Sequence, residues 1–242
     1  WLVAFHLPAQ VDYAVHSVFC TGLNVPNQIV FDTSGNLFVA NHSYASYSGP
    51  YHNTIAKIDP AGNKSVFVSG YTWPSGLEID LQQNLYFTQN NASSVIRKVT
   101  PAGTVSTFAS LPHQPGPITL FDNNTNPAFA IYTVSHWGVK GIQKTNFSGS
   151  ASQFSAGSFY ACQLSNDGQY LFASTSATNQ LMRISTVTSV AEVWVSQIQG
   201  YELWAGTIGP DSKLYLIGQS NCTSGKKAVF RINGQNSVTE FI

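Results

Sequence analysis

Two glutamates stand out, and one of them has surroundings in which a carboxylate could do acid–base chemistry. Glu202 lies in the aromatic stretch GYELWAG, two residues before Trp204. Rings that remove a carboxylate from water raise its pKa, so such a group could exchange protons near neutral pH. Glu78 lies inside the otherwise apolar stretch SGLEID. Glu202 could instead be a structural, hydrogen-bonded residue at a strand start. Glu78 either lines a central channel or pairs inside the protein, with Arg97 or Lys98 as possible partners.

A second set of residues could recognise a ligand through aromatic rings with polar tips. Such rings stack on the apolar faces of sugars, while imidazoles and amides bind hydroxyl groups. The alternative is that these rings only pack their loops against the rest of the protein. The candidates are His42, Tyr44, Tyr47 and Tyr51 in the segment HSYASYSGPYHN, then Trp73, and then the neighbours His136 and Trp137.

Composition and missing motifs argue against several classes of function. Only 9% of the residues are charged and the formal net charge is zero, so no basic surface is expected to bind the phosphates of nucleic acid. The apolar runs are far shorter than the ~20 residues that a membrane-spanning helix needs. The sequence contains no G-x-S-x-G, phosphate-binding loop, C-x-x-C pair or H-E-x-x-H. The chemistry that those motifs support is therefore not expected.

The elements that must position these residues are short strands in a repeat. From Val25 to Phe67, apolar runs alternate with turns rich in Gly, Asn, Asp and Pro, which predicts four antiparallel strands. The segment from Trp73 to Phe108 repeats this pattern almost element for element. A four-stranded unit that recurs every ~40–45 residues is typical of a β-propeller blade. We therefore predict one all-β propeller domain over residues 1–242, with repeats at about 21–70, 71–110, 111–157, 158–197 and 198–242.

The number of blades has two solutions. If the strands of a repeat are named a to d, the chain has five a–b pairs but six c–d pairs, because residues 1–20 match a c–d hairpin. In a six-bladed ring, the missing a–b pair would lie beyond Ile242 or on a partner chain, as in a protomer of an assembly. In a five-bladed ring, residues 1–20 would pack as an extra edge. We favour six blades, since a missing inner strand exposes the edges of its neighbours.

Turn residues and cysteines fit this ring. Strands alternate in direction, so the a–b and c–d turns share one face and the b–c loops and d–a connectors share the other. Aspartates in tight turns bond nearby amides, which predicts structural roles for Asp32, Asp59, Asp80 and Asp122. Cys20 and Cys222 both fall on the second face, and we predict a disulfide between them that closes nearly the whole chain. Cys162, inside a strand, is predicted to be a buried free thiol.

Six N-glycosylation sequons begin at Asn41, Asn63, Asn91, Asn123, Asn146 and Asn221. The chain also starts at Trp1 rather than Met, has few lysines and carries little charge. Together these features predict a secreted, extracellular glycoprotein.

The repeat resembles known propellers in its motif P-x-G-I-x-x-D-x-x-G-N-L-Y-V-A-[DN], carried here by PNQIVFDTSGNLFVAN from Pro26 and PSGLEIDLQQNLYFTQN from Pro74. It is similar to NHL repeats and to the gluconolactonase-like and strictosidine-synthase-like propellers. The gluconolactonase resemblance implies a divalent cation such as calcium at the ring axis, bound by Asn27, Asn90 and Glu202, although an aspartate ligand is missing. The strictosidine-synthase resemblance implies Glu202 as a base.

NHL rings mostly serve as binding platforms, and the metal ligand set here is incomplete. We therefore expect a non-catalytic ligand-binding or structural module, with no firm cofactor, whose carbohydrate, peptide or protein ligand meets the b–c loop face. The alternatives are a small-molecule hydrolase or lactonase, or a strictosidine-synthase-like enzyme, with an axial site, and a self-assembling protomer of an extracellular assembly.

Overall fold

The computed structural model describes residues 19–42, 49, 51–91, 94–123, 129–137, 141–176, 178–198, 200–220 and 227–240. These residues form five antiparallel sheets of four strands each, in which the strands follow one another in chain order. The prediction of an all-β propeller with four-stranded blades is confirmed.

Each sheet is one blade, and its first strand is the innermost. Blade 1 contains β1 (Pro26–Phe31), β2 (Leu37–Asn41), β3 (Thr54–Ile58) and β4 (Lys64–Val68). Blade 2 contains β5 (Pro74–Ile79), β6 (Leu85–Gln89), β7 (Val95–Val99) and β8 (Val105–Ser110). Blade 3 contains β9 (Gln114–Phe121), β10 (Ala130–Trp137), β11 (Gly141–Asn146) and β12 (Ala151–Ala156). Blade 4 contains β13 (Phe159–Leu164), β14 (Tyr170–Thr175), β15 (Leu181–Ser185) and β16 (Ala191–Val195). Blade 5 contains β17 (Tyr201–Ile208), β18 (Leu214–Ser220), β19 (Lys227–Gly234) and β20 (Ser237–Glu240).

The core lies between blades rather than within them. Successive inner strands are neighbours, from β1 through β5, β9 and β13 to β17. Leu77 and Phe87 of blade 2 pack against Phe38 and Ile55 of blade 1. On the other side of blade 2, Tyr86 packs in a cluster with the buried side chains of blade 3. Each small sheet is therefore stabilised by burying both of its faces against its neighbours.

The prediction of six blades is wrong, and the five-bladed alternative describes the fold. Among the described residues, five repeats supply all four strands of a blade, and a c–d hairpin that lacks the inner a–b pair does not form a blade. Residues 1–18, which belong to the predicted hairpin, lie outside the described residues. Within the described part, β1 and β17 lack the close contact that joins successive inner strands. Consequently Ile29 and Phe31 on β1 are 55% and 59% exposed, whereas Leu77, at the place of Ile29 in the next blade, is buried.

The aspartate turns have the structural role that the sequence predicts. The Oδ1 atom of Asp32 accepts hydrogen bonds from the backbone N–H groups of Ser34 and Asn36, at 2.9 and 2.8 Å. Asp59 and Asp80 bond to the turns that follow them in the same way. Asp122 accepts instead from a backbone N–H of the preceding blade. These carboxylates hold the a–b and c–d turns on the first face, so they are not free for chemistry.

Candidate functional site

Every inner strand has one extra residue near its start, where its pairing with the second strand shifts register. Such bulges bend a strand and redirect its side chains, and they are frequent next to functional sites. All five shifts lie at the end of the strand that meets the b–c loop face. We call the residues at these shifts the axial mouth: residues 27–28, 75–76 and 116–117, Tyr160, and Trp204.

Blades 1 to 3 contribute the polar side of the axial mouth. The Asn27 amide donates to Ser75 Oγ at 3.3 Å. Gln28 reaches past blade 2 and bonds both backbone groups of Ile118, donating to its carbonyl oxygen at 2.9 Å and accepting from its N–H at 3.3 Å. The Gln28 side chain therefore satisfies two backbone hydrogen-bonding groups at the inner edge of β9. A side chain at Gly76 has no room, because its Cβ would lie 2.7 Å from a carbonyl oxygen of β9.

Glu78 lies on β5 below the mouth, and its carboxyl group reaches the inner strand of the next blade. Its carboxyl group accepts hydrogen bonds from the N–H groups of Ile79 and of Leu120 in the next blade. Thr119 occupies the same register position one blade on, and its Oγ1 accepts from the N–H of Leu164 at 3.3 Å. Glu78 and Thr119 therefore have the same structural role: each accepts a hydrogen bond from a backbone N–H on the inner strand of the next blade.

Glu78 is a neutral acid at this position. Burial raises the pKa of Glu78 to about 8, and the two hydrogen bonds offset only part of that rise. Neither predicted partner forms an ion pair with Glu78. Arg97 donates a hydrogen bond to Gln89, and the ammonium group of Lys98 lies over the ring of Tyr86. Burial, with a smaller contribution from nearby Glu78, also raises the pKa of the Cys162 thiol, which is buried and free as predicted. Glu78 and Cys162, which lie below the mouth, are therefore polar but uncharged at neutral pH.

Blades 4 and 5 contribute the aromatic side of the mouth. The rings of Tyr160 and Trp204 stack with centroids 4.8 Å apart and an angle of 9° between their planes. Trp204 remains 43% exposed, and its backbone carbonyl accepts from Ser174 at 3.2 Å. Burial, with a smaller contribution from the charge of Glu202, raises the pKa of Tyr160. The predicted role of Glu202 stays a prediction.

Tyr160 is a site residue that the sequence did not identify. It lies 44 positions before Trp204, and both residues stand at the bulges of two adjacent inner strands. One signal was available: an aromatic residue stands near the start of strand a in two consecutive repeats, where the earlier repeats have small or amide residues.

The predicted ligand-binding residues at blades 1 and 2 are packed rather than open. His42 is 6% exposed and stacks on Trp73, with ring centroids 5.6 Å apart. Burial lowers the pKa of His42, so its imidazole is neutral. Tyr51 is partly buried and its ring lies 5.3 Å from the ammonium of Lys64. These contacts match the alternative in which the rings pack their loops.

The remaining predicted ligand residues have no described side chains. Tyr44 and Tyr47 lie outside the described residues. His136 and Trp137 are the last residues of β10, and their side chains lie outside the described part of the chain. For these four residues the predicted ligand contact stays a prediction.

The three predicted metal ligands offer few oxygen donors. The side-chain amide of Asn27 donates a hydrogen bond to Ser75 Oγ. Asn90 has a buried Oδ1 with no hydrogen-bond partner among the residues described, which is an atom that a cation could use. Over the same residues, no group of three His, Cys, Asp or Glu side chains could hold a metal. Calcium takes 6–8 oxygen ligands, so most would have to be water, and the cation stays a prediction.

Covalent features of the sequence stand as follows. Cys20 has a free thiol, and its predicted partner Cys222 lies outside the described residues, so the disulfide is not supported. Asn41 is fully buried within β2, so this fold leaves no room for a glycan there. The other five sequons stay predictions.

In the described part of the chain, no helix has the length and apolar character needed to cross a membrane.

Comparisons by sequence identify no relative: no family model matches the chain and no curated protein matches it. Solved structures do share its fold. A gluconolactonase from Xanthomonas campestris superposes with a TM-score of 0.69 at 10% identity, covering 91% of this chain and 76% of that one. A calcium-binding regucalcin from Agrobacterium tumefaciens gives 0.67 at 16% identity, covering 90% and 74%.

Two further matches widen the range of functions on this fold. A chain of the nidogen–laminin complex gives a TM-score of 0.67 at 12% identity, covering 86% of this chain and 76% of that chain. A virginiamycin B lyase from Staphylococcus aureus, solved with quinupristin, gives 0.66 at 18% identity, covering 89% and 69%. The structural neighbours are NHL-type and gluconolactonase-like propellers, as the repeat motif predicted. At such identities the likeness shows the fold alone.

Proposed function

We propose that this chain is a secreted, N-glycosylated propeller that acts as a non-catalytic binding module, and that its carbohydrate, peptide or protein ligand contacts the axial mouth. The observation that carries the proposal is the stacked pair of Tyr160 and Trp204. A large ring that is buried on one face by another ring and open on the other is a rigid, preformed contact surface. On the polar side of the mouth, Asn27 and Gln28 already have hydrogen-bond partners, and neither side chain carries a charge.

A protein ligand is the occupant that we favour. The exposed residue of the mouth is a tryptophan, a residue type enriched among the few residues that dominate protein–protein binding energy. One structural neighbour comes from a complex of two extracellular proteins, nidogen and laminin. The sequons and the low charge of this chain support the same extracellular setting.

The test is a binding screen on immobilised extracellular matrix proteins and glycans with three forms of the chain. Trp204→Ala removes the exposed ring at the mouth. Phe147→Ala is the matched control, because Phe147 is 53% exposed in a c–d turn on the opposite face. We expect at least one ligand to bind the wild type and the control equally and the Trp204 variant at least about tenfold more weakly, as for an interface hot spot. Equal loss in both variants, or no loss in either, would refute a ligand site at the mouth.

One observation favours a second candidate, an axial small-molecule enzyme. Burial raises the pKa of Glu78 to about 8, which suits a general acid near neutral pH. Two structural neighbours are named as a lactonase and a lyase. A lactone panel assayed with and without calcium tests this candidate, with Glu78→Gln and Glu202→Gln as variants. Turnover that survives in the Glu202 variant and is lost in the Glu78 variant would support it, and no turnover by the wild type would reject it.

A further inference from the structure

One face of blade 1 is apolar and, among the described residues, lacks the close strand contacts that join successive blades. Residues directly opposite each other on neighbouring strands project to the same side of a sheet. Val30 and Phe38 pack in the cluster shared with blade 2, so the residues that alternate with them lie on the opposite side, which we call the free face. The pairing is regular there, since the register shifts of this sheet lie outside the residues concerned. Two rows of opposed residues, all apolar except Lys64, cross the free face: Ile29, Val39, Ala56 and Val66, and Phe31, Leu37, Ile58 and Lys64.

The chain that precedes β1 already covers the middle strands of the free face. Cys20 and Leu23 pack on a small apolar cluster there. The members of that cluster, all of them buried, are Leu37, Val39 and Ile58.

The inner and outer strands of the free face remain open. Ile29 and Phe31 on β1 are the exposed residues described above, and Val66 on β4 is 45% exposed. Large apolar side chains grouped on one face of a sheet form a patch that a soluble protein usually buries. The free face is therefore only partly covered by the residues described.

The path of the chain from Phe19 to Val25 shows where the preceding residues reach this face. A Cβ at Gly62, in the c–d turn of blade 1, would lie 3.7 Å from the carbonyl oxygen of Phe19. The ammonium group of Lys64, which follows that turn, donates a hydrogen bond to the carbonyl oxygen of Thr21. Val25 immediately precedes β1 at the mouth end. The chain thus crosses blade 1 from its turn end to its mouth end, so the residues before Phe19 reach the free face at the turn end.

We propose that residues 1–18 of the same chain dock on the free face and bury Ile29, Phe31 and Val66. Twelve of these 18 residues are apolar, and Asp12 is the only Asp, Glu, Lys or Arg among them, so the segment matches the chemistry of the face. The segment is also long enough: 18 extended residues reach ~60 Å, whereas the four strands of a blade span about 14 Å, which is three spacings of ~4.8 Å.

The docked segment is a cover and not a further blade, because it brings no a–b pair. It closes the ring on the side where β1 and β17 lack close contact. Its attachment at Phe19, beside the face, favours it over a second copy of the chain, because a tethered segment has an effective concentration of roughly millimolar.

The experiment is photo-cross-linking in the full chain, with p-benzoylphenylalanine replacing one residue at a time. Phe31→p-benzoylphenylalanine places the probe on the inner strand of the free face. Val66→p-benzoylphenylalanine places it on the outer strand, so the face can still be tested if the first variant fails to fold. Val187→p-benzoylphenylalanine is the matched control, because Val187 is 87% exposed in the c–d turn of blade 4. Mass spectrometry identifies the joined peptides in an equal mixture of ordinary and isotope-labelled chains.

We expect both probes on the free face to cross-link to residues 1–18, and the control to form no such cross-link. At micromolar protein concentration, peptide pairs with the same isotope should exceed mixed pairs by at least about tenfold, because the segment is tethered to its own face. Mixed pairs as frequent as pairs of one isotope would show that a second copy covers the face. That result, equal cross-linking by the control, or no cross-link into residues 1–18 from either probe would overturn the proposal.

This inference goes beyond the proposed function and does not depend on it. The cross-links report what covers blade 1, whereas the Trp204 variant reports where a ligand binds. Failure of either result therefore leaves the other standing.

Discussion

Replacing Glu78 by glutamine should remove a pH-dependent loss of stability that the wild-type chain carries. The carboxyl group of Glu78 has a pKa of about 8 in the folded chain, against an ordinary value of 4.5. The unfolded chain therefore loses this proton above pH 4.5, whereas the folded chain keeps it up to about pH 8. The folded state binds more protons in that window, so the free energy of unfolding falls as the pH rises through it.

The magnitude follows from the shift in pKa. Each unit corresponds to about 1.4 kcal/mol, so the window from 4.5 to 8 has an upper limit of about 5 kcal/mol in lost stability. Glu78→Gln is neutral at every pH and keeps an oxygen that can accept from the N–H of Leu120. We therefore expect the variant to match the wild type near pH 5 and to exceed it by several kcal/mol, about 2–5, near pH 8.

The assay is urea unfolding of both proteins, followed by tryptophan fluorescence, at intervals from about pH 5 to about pH 9. His42 acts in the opposite direction, because burial lowers its pKa below 6.5 and its contribution to stability rises with pH. That contribution cancels when the two proteins are compared at the same pH. Glu240→Gln removes a charge from an exposed position on β20 and controls for net charge. The reasoning would be refuted if the free energy of unfolding changed with pH in parallel for the wild type and the Glu78 variant, or if the variant were less stable than the wild type at pH 8.

Four further predictions concern the blades, the turns and the cysteines. Gly76→Ala should lower the free energy of unfolding by about 1–3 kcal/mol, because its Cβ meets a carbonyl oxygen of the next inner strand; urea unfolding measures this. Thr119→Val should cost about 1–3 kcal/mol by leaving a backbone N–H of the next blade unbonded, while Thr119→Ser should restore it. Asp32→Ala should lower the midpoint of thermal unfolding, and Asp32→Asn, which keeps an acceptor, should lower it less. Thiol titration in denaturant without reductant should find three thiols, since Cys20 is free; a single thiol would indicate the predicted disulfide.

The repeat made most of the fold predictable, because each blade carries its own local signals. Apolar runs, and turns such as the one at Asp32, identify strands without knowledge of distant contacts. The number of blades could not be predicted from such local signals. Residues 1–20 resemble a c–d hairpin, but a blade also needs an inner strand, and whether one is available depends on the whole ring. The exposed Ile29 and Phe31 on β1 show the consequence in the folded chain.

The candidate site was only partly predictable for a related reason. Glu202 and Trp204 are close in sequence, so their place at the start of one strand could be inferred. Tyr160 stacks on Trp204 where two inner strands have bulges, and register shifts leave little trace in composition. Glu78 was recognised as unusual, but its bonding partner proved to be a backbone N–H of the next blade rather than a basic side chain.

Hydrogen–deuterium exchange with the tightest ligand from the matrix and glycan screen tests most directly whether the axial mouth is the binding site. We predict that the ligand slows exchange at the starts of β13 and β17, around Tyr160 and Trp204, and leaves the turns at Asp32 and Asp59 unchanged. Protection confined to those turns on the opposite face would contradict the account.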